Sequence, residues 1–229
     1  MKRFKDYISI NEWKYNSNSN VEQIVIFKHH PEHRAALSDL VAKRIKENNE
    51  KPYLLDIDVS NVIDLHHLFN MFETSDVNFS SIKELDLSTW NTENALDCQN
   101  IFSYLTSLEK ITFSSRFNLS NCSDTRSLFL DCRNLEYLDV SSFKIKESRY
   151  ILASFKNCTK LKEIKGLETW DVSNVKIASG MFNNCVNLRK INVKDWKFSF
   201  TKDFVASKMF YNCDKSIIPS WYDTNKWEN

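Results

Sequence analysis

One pattern recurs down most of this chain of 229 residues, at a step of 26 to 28. Its marker is the second residue of the pairs Leu68-Phe69, Ile101-Phe102, Leu128-Phe129, Ser154-Phe155, Met181-Phe182 and Met209-Phe210, at gaps of 33, 27, 26, 27 and 28. Cys132, Cys158, Cys185 and Cys213 each follow a marker by three positions. Ile57, Trp90, Phe117, Phe143 and Trp170 each precede one by twelve, and Trp196 precedes its marker by fourteen. A fixed period of this size is the signature of an architecture in which each unit buries its apolar face against its neighbours.

The unit Leu161–Leu188 reads most clearly. An apolar pair three apart opens it, as in Ile82/Leu85, Leu108/Ile111, Leu135/Leu138 and Leu188/Ile191. Alternation follows, as in Leu85-Asp86-Leu87-Ser88, and this predicts a short strand with one buried face. After the aromatic and a polar turn, Val175, Ala178, Met181, Phe182 and Cys185 fall on one face of a short helix. The expectation is therefore an α/β fold: a right-handed β-α superhelix with a parallel sheet on one face and short helices on the other. That is a leucine-rich repeat solenoid, with caps at both ends. The division expected is an N-terminal arm over 1–20, a cap over 21–51, repeats over 52–210 and a C-terminal cap over 211–229.

The caps read as follows. Val21 to Phe27 suggests a strand. Pro31 suits a first helical turn, and Leu37, Leu40, Val41 and Ile45 mark an apolar helix face. Tyr15 to Asn20 reads as a loop, and Trp221, Tyr222 and Trp227 seal the far end. The long gap between Phe69 and Phe102 implies a bulging loop near Glu73 to Phe79.

Only 2 Gly and 3 Pro serve the many turns, so Asn, Asp and Ser must supply them through side-chain bonds to the backbone. The six Cys show no C-x-x-C pair, and four share one repeat position. They are expected to be reduced and buried as a column of small apolar side chains. The start of the chain has no apolar run that reads as a signal, and no stretch is long and apolar enough to cross a membrane. A cytoplasmic location is the expectation, with cell surface and virion left open.

Ile57-Asp58-Val59-Ser60-Asn61-Val62 and Trp170-Asp171-Val172-Ser173-Asn174-Val175 share five consecutive residues. With the M-F-x-x-C-x-x-L run from Met181 to Leu188, they resemble the BspA-like leucine-rich repeats of bacterial surface proteins, Mycoplasma-type lipoproteins and some phage-encoded proteins. The resemblance covers about residues 52 to 222. It implies adhesion or protein–protein recognition and transfers no catalytic residue.

Candidate chemistry is sparse. His29, His30 and His33 form one cluster and His66 and His67 another. Pro31 interrupts the first as a metal site, and packing or surface roles are favoured for both. No metal, cofactor or catalytic set is assigned. The aromatic row from Trp90 to Trp196 is expected to be an internal ladder; a stacking platform for bases or sugars is the alternative.

The polar strand positions form rows: Asp56, Asp86, Thr112, Asp139, Lys165 and Asn192, beside Glu84, Lys110, Tyr137, Glu163 and Lys190. Opposite charges adjoin at Glu84/Lys110 and Glu163/Lys190. From Ser141 to Lys215 there are 15 Lys and Arg against 7 Asp and Glu, a net of +8 in a chain of net +1. Such polarity steers an acidic partner toward one half. The reading is a non-enzymatic, monomeric scaffold that binds a protein partner. Its contact set is Asp86, Lys110, Tyr137, Asp139, Lys165, Lys190 and Lys194, the three last lysines in consecutive strands. Nucleic acid is disfavoured, since Lys outnumbers Arg and no known module is present. An exported adhesin and a phage-encoded structural or host-interaction protein remain as rivals.

Overall fold

The computed structural model describes residues 13–15, 23–25, 27–70 and 76–228. Strands β1 (Trp13–Tyr15) and β2 (Gln23–Val25) pair antiparallel, so Tyr15 ends a strand and does not begin a loop. The rest of the expected loop and the flanks of the strand at Val21, Glu22 and Ile26 lie outside the described residues, as do Met1 to Glu12 and Glu73 to Ser75 of the bulge.

Helix α1 (Arg34–Glu47) starts three residues later than Pro31. His33 caps it, its Nδ1 accepting from the Ala36 N–H at 3.3 Å. Leu37, Val41 and Ile45 are buried on its inner face, with Leu40 half-buried beside them. Arg44 reaches from α1 to Asp56, its Nη2 lying 3.1 and 2.9 Å from the two carboxylate oxygens.

The units then follow. Their strands are β3 (Glu84–Leu87), β4 (Lys110–Phe113), β5 (Tyr137–Asp139) and β6 (Glu163–Lys165). β3 pairs parallel with β4 and β5 with β6, in the expected register: Glu84 opposite Lys110, Asp86 opposite Thr112, Tyr137 opposite Glu163, Asp139 opposite Lys165. One short helix, α2 (Thr224–Trp227), closes the described chain, capped by Asp223.

The expected β-α solenoid is not what forms. Among the described residues the only α-helices are α1 and α2, and neither lies in the repeated units. The strands are three or four residues long and make separate two-stranded sheets, so there is neither the continuous parallel sheet nor the helical back of a leucine-rich repeat horseshoe. The fold is a mixture of small elements and turns.

The reason for the missing helices lies in the backbone. Two positions before every marker Phe the chain is left-handed: His67, Asn100, Ser127, Ala153, Gly180 and Lys208, with φ between 53° and 61°. Two positions after, Tyr104, Asp131, Asn157, Asn184 and Asn212 are left-handed as well. A right-handed helix cannot run through such residues. The N–H groups of this segment turn instead to the following unit. Ile151, Ala153, Phe155 and Asn157 donate to Ile177, Ser179, Met181 and Asn183 at 2.8 to 3.0 Å. The spacing that mimicked a helix is the inward-facing set of a row of turns.

The core runs through the turns. Phe69, Phe102, Phe129, Phe155, Phe182 and Phe210 stack ring on ring, with centroids 5.6, 5.0, 5.8, 5.5 and 5.3 Å apart. Phe117, Phe143, Trp170 and Trp196 are buried beside them, as the internal-ladder reading requires, so their faces are closed to bases and sugars. The indole N–H groups of Trp90, Trp196 and Trp221 donate to the carbonyls of Leu54, Leu167 and Val193.

Asx bonds make the turns: Asp58, Asn91, Asn118, Asp139 and Asp171 each accept the N–H two residues on. Beside the core, an amide ladder links Asn212 to Asn184, Asn184 to Asn157 and Asn157 to Asp131. At the far end the Tyr222 hydroxyl accepts from Met209 N–H and donates toward Glu228 Oε1 at 2.6 Å.

The cysteines correct the expectation twice. Cys98 and Cys122 form a disulfide, with Cα atoms 5.9 Å apart. They sit at different places in their units, so alignment by period did not bring them together. Cys132, Cys158, Cys185 and Cys213 are free, but they are more than apolar filler. Each thiol donates to the carbonyl of the previous unit's marker, Phe102, Phe129, Phe155 or Phe182, at 2.9 to 3.1 Å.

Candidate strand-face site

The alternation of short strands puts Leu85, Leu87, Leu138 and Ile164 into the core and lifts their neighbours outward. Tyr137 is 60% exposed, on a rung whose next residue, Leu138, is 3% exposed. The Lys162 ammonium lies 5.7 Å from its ring centroid. Lys162 also bonds Glu136 at 2.6 Å, which raises its pKa and lowers that of the carboxylate. The ring is therefore held between a rigid strand and a cation.

The expected residues fall as follows. Asp86 is half-buried, and its Oδ1 accepts from Ser88 N–H. Lys110 is exposed opposite Glu84, but Glu84 pairs with Lys51 at 2.6 Å. That bond holds the Glu84 carboxyl below its ordinary range. Asp139 and Lys165 are exposed and opposite one another. Lys190 bridges to Glu163 and forms the expected ion pair at 3.6 Å. Lys194 is exposed but lies in a turn, so it is not on a strand with Lys165. Five of the seven thus lie on paired strands, Asp86 and Lys110 on β3 and β4 and Tyr137, Asp139 and Lys165 on β5 and β6, and Lys190 joins the second pair through a single bridge.

Between β4 and β5 the face opens into a groove of about 520 Å³, lined among others by Ile111, Phe113, Asp139 and Lys144. Nothing in the alternating pattern announced it. The one signal is that Ile111 and Phe113 are only half-buried where their counterparts are closed.

A second cluster was missed by the reading of the histidines. Asp64, His66 and Asp97 bring their ligand atoms within 4.8 Å of one another. His66 Nδ1 lies 2.6 Å from Asp64 Oδ1, while the Arg34 guanidinium sits on Nε2. That fixed positive charge opposes a metal cation there and makes the group a hydrogen-bonded clasp between α1 and the first units. Asp64 and Asp97 are equivalent positions 33 apart, a pairing that only the period reveals. His30 is likewise engaged, with Asp58 Oδ2 at 3.2 Å.

Two of the comparisons with known proteins return nothing: no curated protein and no solved structure matches. A family model described as "Mycoplasma protein of unknown function, DUF285" matches residues 3–137, 35–164 and 139–228. The placements overlap, as one model laid over a repeated sequence does. No helix among the described residues is long and apolar enough to cross a membrane.

Proposed function

We propose that this chain, which belongs to the Mycoplasma family of unknown function DUF285, is a non-enzymatic scaffold that recognises a protein partner through its strand face. One observation carries the reading: Tyr137, a large aromatic, is presented to solvent from a rung whose underside is locked in the core. Rigid, partly exposed tyrosines are the side chains that most often anchor protein interfaces. Around it Lys110, Lys165 and Lys190 offer positive charge to an acidic partner. The resemblance of the units to BspA-like repeats supports recognition or adhesion as the role.

Capture from the native host tests this. The wild-type chain is expected to retain a specific protein that Tyr137→Ala does not. Equal capture by both chains rejects the strand face as the site.

A further inference from the structure

The chain is polarised from its first units to its last. Between Pro52 and Val140, 14 Asp and Glu stand against 5 Lys and Arg; between Ser141 and Lys215, 7 stand against 15. A row outside the strands carries this polarity into the fold. Six positions before their marker Phe lie Ile63, Leu96, Ser123, Arg149 and Lys176, all exposed. Backbone bonds stack them: Leu96 N–H donates to Ile63, Arg149 to Ser123 and Lys176 to Arg149, at 2.7 to 2.9 Å. One position further on, parallel bridges join Asp64 to Asp97 and run from Asp124 through Tyr150 and Ile177 to Val205.

The two ends of this face are opposite in charge, and both carry apolar side chains. At the first, Ile63 and Leu96 are each 54% exposed, with Asp64 and Asp97 beside them. At the last, half-buried Ile177 and exposed Val205 stand beside Lys176. Neither Arg149 nor Lys176 enters an ion pair among the described residues. Apolar side chains bordered by charge are the composition of a protein interface.

The pattern complements itself in one orientation. Two copies laid side by side in the same direction set acid on acid. With one copy turned end for end, the first of the six units meets the sixth, the second the fifth and the third the fourth. Ile63 then falls on Val205, Leu96 on Ile177, Asp97 on Lys176 and Asp124 on Arg149. Each contact occurs twice, as a two-fold axis requires. The acidic stretch of one copy lies along the basic stretch of the other, which speeds encounter and fixes the direction. We propose that this face pairs with the same face of a second copy, antiparallel, to form a dimer. Tyr137 belongs to neither row, so the strand face stays open to another protein and the two readings stand apart.

Sedimentation of the full chain from micromolar to millimolar concentration reads the association. A monomer–dimer equilibrium is expected, weakened by salt. Lys176→Glu and Asp97→Lys each bring like charges together at two places and are expected to weaken the dimer at least tenfold. Mixing the two variant chains restores opposite charges at both places, and the mixture is expected to recover the wild-type affinity. Leu96→Asp leaves Asp97 and its contact with His66 in place and is expected to weaken the dimer as much, so the test holds even where Asp97→Lys fails to fold. Tyr137→Ala is expected to dimerise as the wild type does. A chain that stays monomeric at millimolar concentration, a dimer indifferent to Lys176→Glu and Leu96→Asp, or no recovery on mixing two folded variants overturns the proposal. A monomeric chain that still captures a protein lost in Tyr137→Ala keeps the strand face and rejects the dimer.

Discussion

Phe155 and Phe182 lie ring on ring, centroids 5.5 Å apart and planes 7° from parallel, at positions 27 apart in the chain. Neither ring is exposed, and each also stacks on the next marker along the core. Removing one ring therefore opens a void with two aromatic walls. Phe182→Ala is expected to cost ~3–5 kcal/mol from lost burial and cavity formation. Lys176→Ala, on an exposed turn of the same unit, should stay within ~0.5 kcal/mol. Urea unfolding of both variants checks this, and equal losses would mean that the register of the units is misread.

Asp56 is 4% exposed and takes both of its oxygens to Arg44 Nη2. Asp56→Ala leaves the Arg44 charge half-sealed without its partner, at a cost of ~3–5 kcal/mol. The same change at Glu136, whose partner Lys162 is exposed, should have a far smaller effect. Comparing the two denaturation midpoints decides whether α1 is clamped by this pair.

The free thiols predict alkaline lability. Burial raises the pKa of Cys132, Cys158 and Cys185, and pushes Cys213 up to about 11, against an ordinary value of 9.0. Their stabilising contribution is complete below pH 9. It is lost as pH rises, because unfolded thiols ionise and folded ones do not. The unfolding midpoint is expected to fall from pH 9 upward, Cys213 losing its share by about pH 11. Tyr222, raised by burial and by Glu228, adds to the same trend. In native protein at pH 8, Cys213 should be alkylated before the other three. Mass spectrometry of timed iodoacetamide reactions reads the order directly.

The Cys98–Cys122 disulfide links positions 24 apart, and both residues are fully buried. Closing a loop of that size restricts the unfolded chain by about 3 kcal/mol. The Cys98→Ala, Cys122→Ala double variant should lose about that much. Thiol counting in denaturant should find four free groups before reduction and six after it. Six free thiols before reduction would contradict the bond.

Replacing Lys165, Lys190 and Lys194 together by Glu is expected to slow association with an acidic partner more than it speeds dissociation, since long-range charge acts mainly on encounter. Raising salt toward 0.1 M and above should mimic the change, as a ~10 Å Debye length screens exposed charge. Tyr137→Ala should mainly raise the dissociation rate. Surface kinetics with the captured partner separate these effects, and unchanged rates in both variants would move the contact away from this face.

What could be read in advance was whatever depends on side-chain type at a fixed step. The marker Phe residues, the aromatic row and the register of Glu84 with Lys110 or Tyr137 with Glu163 are all patterns of this kind. Their burial follows from the period alone. The helices were misread because Val175, Ala178, Met181 and Phe182 have the spacing of a helix while Gly180 and Asn184 have left-handed backbone. A spacing rule registers which residues point inward, and is blind to how the chain turns between them. The groove was hidden for a related reason. Ile111-Thr112-Phe113-Ser114 alternates as well as Leu138-Asp139-Val140-Ser141, and only the packing of neighbouring units decides that β4 and β5 do not pair. Lys194 follows the same lesson, since Ile191 is half-buried and its segment never forms a strand. The disulfide and the Asp64–His66–Asp97 clasp join different units, beyond the reach of local pattern.

The left-handed positions have a consequence at the level of the gene. Both glycines of the chain, Gly166 and Gly180, are left-handed, and among the described residues ten further left-handed positions do without glycine, Asn100, Asn157, Asn184 and Asn212 among them. Asparagine tolerates that backbone because its short amide bonds locally, and here it also builds the ladder from Asn157 to Asn212. Every glycine codon begins with two guanines, whereas the asparagine codons begin with two adenines. A fold that asks for left-handed turns at recurring positions can in this way be written in a message poor in G and C, and drift in base composition need not cost it those turns.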